Sequence, residues 1–286
     1  MKGSRGAGVS TSKGVNTTVR LEHSNTISTK ISINGCQTNS ASVSEYVAKS
    51  MVAQAGRNYK VSIEHRVDVP IGVGLGTSGA GALSLAVSLN EALGLNLSIE
   101  EAAQVAHIAE VECKTGLGTV IAETYGGMEI RLKAGAPGIG EMKKIPLGND
   151  YVVAFLPFGA ISTSSILTNQ VFRRRINDLG GSYVTHLLKS PNPDRFMKLS
   201  RYFAEYVGLI TDRVRTVLDE TDKVGIRCSM PMFGEAVFAL TKREDADHLL
   251  NVFKKHEVPI PAISEISGEM SGTILAEVDE KGVRLV

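Results

Sequence analysis

The sequence predicts an α+β protein organised as two domains. Strand-like alternation and helical spacing are mixed in both halves, without the regular strand–helix march of a parallel sheet. A length of 286 residues exceeds that of most single domains. Composition also shifts after an apolar stretch at 151–159, where a more charged, mostly helical region follows. These observations divide the chain into segments 1–150 and 151–286, with the boundary at 148–151.

The elements follow in order. Residues 16–22 and 26–35 alternate as half-buried strands do. Residues 42–56 have helical spacing, with Ser42 or Ser44 as cap and Gly56 as stop. Residues 59–67 alternate again and put Val61, Ile63 and His65 on one face. A glycine-rich stretch precedes a helix from about Ser78 to Leu93. The next helix, 98–116, opens with Ser98 and Glu101, the spacing of a capping box. Residues 126–132 read as a strand, 133–140 as loop and 151–159 as a buried strand. Residues 164–220 are mostly helical, broken at 191–193. Strand–turn–strand character at 226–241, an amphipathic helix at 243–256, and strands at 272–278 and 282–286 complete the chain.

Composition excludes several classes. A net charge of +1 gives no dominant field for nucleic acid or a membrane surface. No apolar run reaches the roughly 18 residues of a membrane-spanning helix. The opening residues lack the apolar core of a signal peptide. Cys36, Cys113 and Cys228 are odd in number, far apart and without CxxC spacing, as expected of reduced thiols in a cytoplasmic protein.

The segment from Val69 to Gly94 carries the chemistry. A strand precedes a loop containing Gly72, Gly74 and Gly76, and a helix follows at once. First-turn helix N–H groups have no internal partners, and the aligned peptides make that end partly positive. Glycines let backbone wrap phosphate oxygens closely. The hydroxyls of Thr77 and Ser78 add ligands for a phosphate or a Mg²⁺ ion. The stretch is neither a P-loop, since no Gly-Lys-Ser/Thr follows, nor a clean GxGxxG.

The string Pro70-Ile71-Gly72-Val73-Gly74-Leu75-Gly76-Thr77-Ser78-Gly79-Ala80 resembles the ATP motif of the GHMP kinases. Residues 229–240 resemble that superfamily's third motif, reduced to the single glycine Gly234, and residues 3–19 and 115–138 look like its archaeal pantoate kinase branch. The resemblance implies a GHMP-kinase fold with a ribosomal protein S5 domain 2-like N-terminal domain and a ferredoxin-like C-terminal domain. It also implies transfer of the γ-phosphate of ATP to the 4-hydroxyl of pantoate for coenzyme A synthesis. A sister kinase acting on homoserine or a mevalonate-type acceptor, and a non-catalytic binding module on the same fold, are the alternatives. A homodimer is a family-level expectation.

Under this resemblance Pro70, Gly72, Gly74, Leu75, Gly76, Thr77, Ser78, Gly79 and Ala80 bind ATP. Ser4, Arg5, Gly6, Gly118 and Thr119 contact pantoate. Ser78, Glu110 and Arg131 are catalytic, with Ser78 and Glu110 holding Mg²⁺. Glu110 continues the inward row of Ala103, Ala106 and His107, whereas Glu112 lies about 200° around the helix and faces solvent. Arg5 offers a fork for a carboxylate. Arg131 and Lys133 share a strand face, and either suits substrate or phosphate. The basic run 172–178 reads as a solvated helix face, and His65, His107 and His186 read as structural.

Two departures from the family pattern stand out. Several members carry an aspartate base seven residues before the glycine pair that is Gly126-Gly127 here, and this chain has Thr119 at that position. Catalysis is therefore expected without a dedicated carboxylate, unless Glu123 substitutes from a helical segment. Members also open with a strand and a Pro-Gly-His-type motif upstream of the "GSRGAG" stretch. The chain starts at Met1, so its N-terminal domain is expected to lack that first strand.

Overall fold

The computed structural model describes residues 3–259 and 272–286. In chain order the elements are β1 (Gly6–Val9), β2 (Val15–His23), β3 (Ser28–Ile33), β4 (Cys36–Thr38), α1 (Ser42–Gln54), β5 (Tyr59–Val67), α2 (Thr77–Leu93), α3 (Ile99–Cys113) and α4 (Thr119–Tyr125). They continue as β6 (Met128–Lys133), β7 (Glu141–Ile145), β8 (Tyr151–Ala160), α5 (Thr163–Thr168), α6 (Gln170–Lys189), α7 (Pro193–Val207), α8 (Asp212–Lys223), β9 (Gly234–Lys242), α9 (Arg243–Lys254) and β10 (Ile274–Glu277).

A four-stranded sheet of order β2-β5-β3-β4 forms the N-terminal layer. β5 runs antiparallel to β2 and parallel to β3, with Ile31 opposite Ile63. Parallel neighbours need a crossover, and the chain between β3 and β5 supplies it through α1. Val61, Ile63 and His65 all point inward, as their alternation requires. Helices α1, α2 and α3 close this layer around Val47, Met51, Leu85, Leu89 and Ala106.

The capping box of α3 is present: the Ser98 amide donates to Glu101 Oε2 (2.8 Å) and the Glu101 amide to Ser98 Oγ (3.2 Å). The expected serine cap of α1 is not. Its N-cap is Ala41, which has no side-chain bond to offer. Ser44 turns into the core instead and hydrogen-bonds His65 Nε2 at 3.0 Å. Satisfying a buried imidazole outweighs capping an exposed helix end.

A short sheet, β1-β6-β7, carries Ala7 opposite Ile130 and Met128 opposite Ile145. Its apolar side packs on the second core, with Leu156, Val237 and Phe238. Ala7, Val9 and Leu75 join the second core and Val283 the first; the other apolar contacts part between Val120 and Met128, ahead of the composition shift at residue 151.

In the C-terminal half the sheet order is β10-β8-β9, and an isolated bridge pairs Ser229 with Phe238 on β9. Counting that bridge as a strand remnant, the sequence β8, Ser229, β9, β10 is arranged fourth, first, third, second. This is the order of a ferredoxin-like βαββαβ unit, with α5–α8 filling the first crossover. The residues at 282–286, expected as a strand, form none. The Val283 amide instead donates to the carbonyl of Glu123 at 3.0 Å, so α4 takes up the backbone bonding that a strand neighbour would have supplied.

Candidate active site

A cleft of about 1830 Å³ opens at the N-terminus of α2, bordered also by β1, α4, Arg131 and one face of α6. Gly72, Gly74 and Gly76 take φ of 83°, 83° and 72°, the left-handed region that favours glycine. Gly76 is the N-cap of α2 and no side chain caps that end. Its first-turn amides therefore present positive character to the cleft. Ile71, Gly72, Gly74, Leu75, Gly76, Thr77, Ser78 and Ala80 border the cleft, whereas Pro70 and Gly79 do not. Pro70 is buried, and Gly79 is pressed against α4, where a methyl would meet Glu123 Oε2 at 2.8 Å.

The reduced third motif has a steric explanation. A methyl built on Gly234 would fall 1.9 Å from the carbonyl of Val73, so its backbone sits directly against the glycine loop. The neighbouring Phe233 takes a φ of 63°, unusual for a bulky residue. Gly234 is the position where close approach is compulsory.

Three acids lie near the loop and Arg131: Glu110 and Glu129 are buried and Glu123 is half-buried. Glu110 on α3 is 2% exposed and accepts from Thr115 Oγ1 at 2.5 Å. The hydroxyl of Ser78 hydrogen-bonds the same carboxylate. Burial raises the Glu110 pKa, and these two bonds oppose the shift. Glu112 is exposed, as its helical position requires. Glu123 on α4 is pushed well above the usual carboxylate range, first by burial and then by the charge of Glu110, while Arg131 opposes. Glu129 is fully buried and is pushed up to about 7 by burial, against the pull of Arg131.

Arg131 pairs with Glu129 and lies over β1, where a methyl on Gly6 would fall 2.5 Å from Nη2. Its Nε is buried and has no partner among the described residues. It also runs past Gly118 and next to Ser4, whose Oγ would lie 2.3 Å from a methyl on Gly118. Ser4, Arg5, Gly6, Gly118, Thr119 and Arg131 thus share one wall of the cleft. Lys133 is elsewhere: the pairing of β6 shifts register between Arg131 and Lys133, and Lys133 meets Glu141 on the surface at 3.6 Å.

The basic run on α6 is divided. Arg174 pairs with Asp178 in solvent at 4.0 Å, and Arg175 donates to the carbonyl of Val207 at 3.1 Å. Arg173 borders the cleft with Asn177 and Tyr183, about one turn and nearly three turns further along. This helix face was not legible as a site, because a charge run has the same pattern on a solvated helix. His65 is structural, bonded to Ser44 and to Thr17 Oγ1 at 2.8 Å.

Ser78 and Glu110 bring a hydroxyl and a carboxylate together, an all-oxygen pair that suits a hard cation completing its shell with phosphate oxygens and water. Among the described residues no group of three His, Cys, Asp or Glu side chains forms a closed metal cage. The Ser78–Glu110 oxygen pair fits Mg²⁺, whose remaining positions phosphate oxygens and water would fill.

A helix N-terminus with no side-chain cap, an oxygen pair beside it and an arginine on the same cleft make an arrangement that suits a phosphate-bearing ligand. Residues 42–127 match the GHMP kinases N terminal domain. Over 252 residues the chain is 35% identical to pantoate kinase of Methanocaldococcus jannaschii, covering 88% of each. It is 37% identical over 272 residues to pantoate kinase of Thermococcus kodakarensis, covering 93% of this chain and 88% of that one. A solved phosphotransferase related to the CoA biosynthesis pathway superposes with a TM-score of 0.82 at 33% identity, over 98% of this chain and 88% of the other. The chain belongs to the pantoate kinase family of GHMP kinases.

Proposed function

We propose that this protein transfers the γ-phosphoryl group of ATP to the 4-hydroxyl of pantoate, giving 4-phosphopantoate and ADP. The observation that carries the reading is that Arg131 and the N-terminus of α2 border one cleft. Arg131 has a free buried Nε and a guanidinium held in place by Glu129, which suits a bidentate grip on a small carboxylate. Ser4 and Arg5 on the same wall add polar contacts for the rest of the acceptor.

Phosphoryl transfer needs in-line positioning and charge stabilisation more than covalent help. The amides of residues 74–79 supply donors to the triphosphate without reorganisation, and that of Ala80 closes the first helical bond to the Gly76 carbonyl. Ser78 and Glu110 would hold Mg²⁺, and the chemistry gained there is neutralisation of phosphate charge. Thr119, with no proton-accepting group at neutral pH, lines the acceptor side. The division into domains 1–150 and 151–286 belongs to the same proposal, as does a homodimer. A cytoplasmic setting is proposed from the three free thiols, Cys36, Cys113 and Cys228. No helix among the described residues is long and apolar enough to cross a membrane.

The test is coupled ADP release with pantoate, homoserine and mevalonate offered in parallel. Turnover with pantoate alone is expected. Turnover confined to another acceptor overturns the substrate, and ATP binding without turnover on any acceptor overturns the kinase reading.

A further inference from the structure

Glu123 has no structural task that explains its position. It borders the cleft, yet its Oε2 is shut off from solvent and has no hydrogen-bond partner among the described residues. Leaving a buried carboxylate oxygen unmatched is costly, and native folds seldom do so without a functional return. The carboxylate lies against the glycine loop: a methyl on Gly76 would sit 2.7 Å from Oε1, and one on Gly79 2.8 Å from Oε2.

Helix geometry explains the aim. Thr119 and Glu123 are one turn apart on α4, and helical side chains lean toward the N-terminus. The longer Glu123 therefore reaches back beside Thr119, and both side chains touch the space above Gly76 and Gly79. Glu123 also feels the charges of both Glu110 and Arg131. The other acids bordering the cleft are placed differently. Glu112 is exposed on α3, Asp279 pairs with Arg284 at 3.0 Å, and Asp68 sits on the loop after β5.

We infer that Glu123 is the carboxylate that receives the acceptor hydroxyl proton during transfer. This rests on the kinase reading above. The hydroxyl oxygen forms its bond to the γ-phosphorus as the bond from that phosphorus to the β–γ bridging oxygen breaks. ADP leaves with the electron pair, and the hydroxyl proton passes to Glu123 and later to water. A base must meet the hydroxyl ionised; burial first and then the charge of Glu110 oppose this, and Arg131 favours it.

The experiment compares wild type, E123Q and the double variant T119D/E123Q in the full chain. Kinetics with pantoate, calorimetry with a non-hydrolysable ATP analogue and thermal melting are read together. E123Q is expected to lower kcat about 100-fold while KM, analogue affinity and melting temperature hold. T119D/E123Q is expected to regain at least about tenfold, because position 119 touches the same space. Retained kcat in E123Q overturns the inference. So does a kcat loss matched by lost analogue affinity or melting temperature, and so does an absence of recovery in the double variant. Wild-type silence toward pantoate overturns the substrate reading instead, and the same variants are then compared on the acceptor that is used.

Discussion

Gly234 lies backbone to backbone against Val73 and Gly74. A methyl on it would fall 1.9 Å from both carbon and oxygen of the Val73 carbonyl and 2.3 Å from the Gly74 nitrogen. The start of β9 therefore fixes the shape of a loop some 160 residues earlier in the chain. Main-chain atoms cannot give way as a flexible side chain can. Gly234→Ala is expected to cost about 3 kcal/mol in chemical denaturation. Calorimetry is expected to show ATP-analogue affinity falling about tenfold or more, because the loop amides lose their alignment.

Glu110 is bonded by Thr115 and Ser78 and buried beside Glu123. Gln keeps its volume and can still accept from Thr115, but it removes the charge. Glu110→Gln should fold with an unchanged melting temperature. Its kcat should fall about 100-fold, and the Mg²⁺ concentration needed for half-maximal rate should rise. Steady-state kinetics across a Mg²⁺ titration reads both.

His65 sets a pH dependence of stability. Burial holds its pKa down to about 4, against 6.5 when unfolded, while the charge of Glu64 opposes the shift and Thr17 and Ser44 hydrogen-bond the ring. Between those values the unfolded chain binds a proton that the folded chain does not. Stability is therefore present above pH 6.5 and lost as pH falls toward 4, by about 3 kcal/mol over that window. Denaturation at pH 7, 6 and 5 should show this slope, and His65→Asn should flatten it while lowering stability at pH 7.

How much of this was legible follows from what each feature depends on. The glycine loop, the α3 capping box and the inward turn of Glu110 rest on residue type and spacing within one element, and they were readable. β1 was not, because glycines at Gly6 and Gly8 mask strand character, and its reason for existing is Arg131 on the next strand over. The pairing of Arg131 with Lys133 failed for a similar reason: the register shift between them is decided by β7 across the sheet. Glu123 was readable as a candidate from its spacing to Thr119. That it faces Gly76 depends on how α4 packs on α2, which no local pattern carries. The serine cap of α1 failed because His65, 21 residues away, competes for Ser44.

The account rests on one cleft holding the triphosphate at the start of α2 and the acceptor carboxylate at Arg131. Crystals grown with a non-hydrolysable ATP analogue, Mg²⁺ and pantoate test it most directly. The predicted result is phosphate density on the amides of Gly74 to Gly79 and the pantoate carboxylate on the Arg131 guanidinium, with its 4-hydroxyl turned toward the γ-phosphate. Nucleotide density elsewhere on the molecule, or pantoate seated away from Arg131, would contradict it.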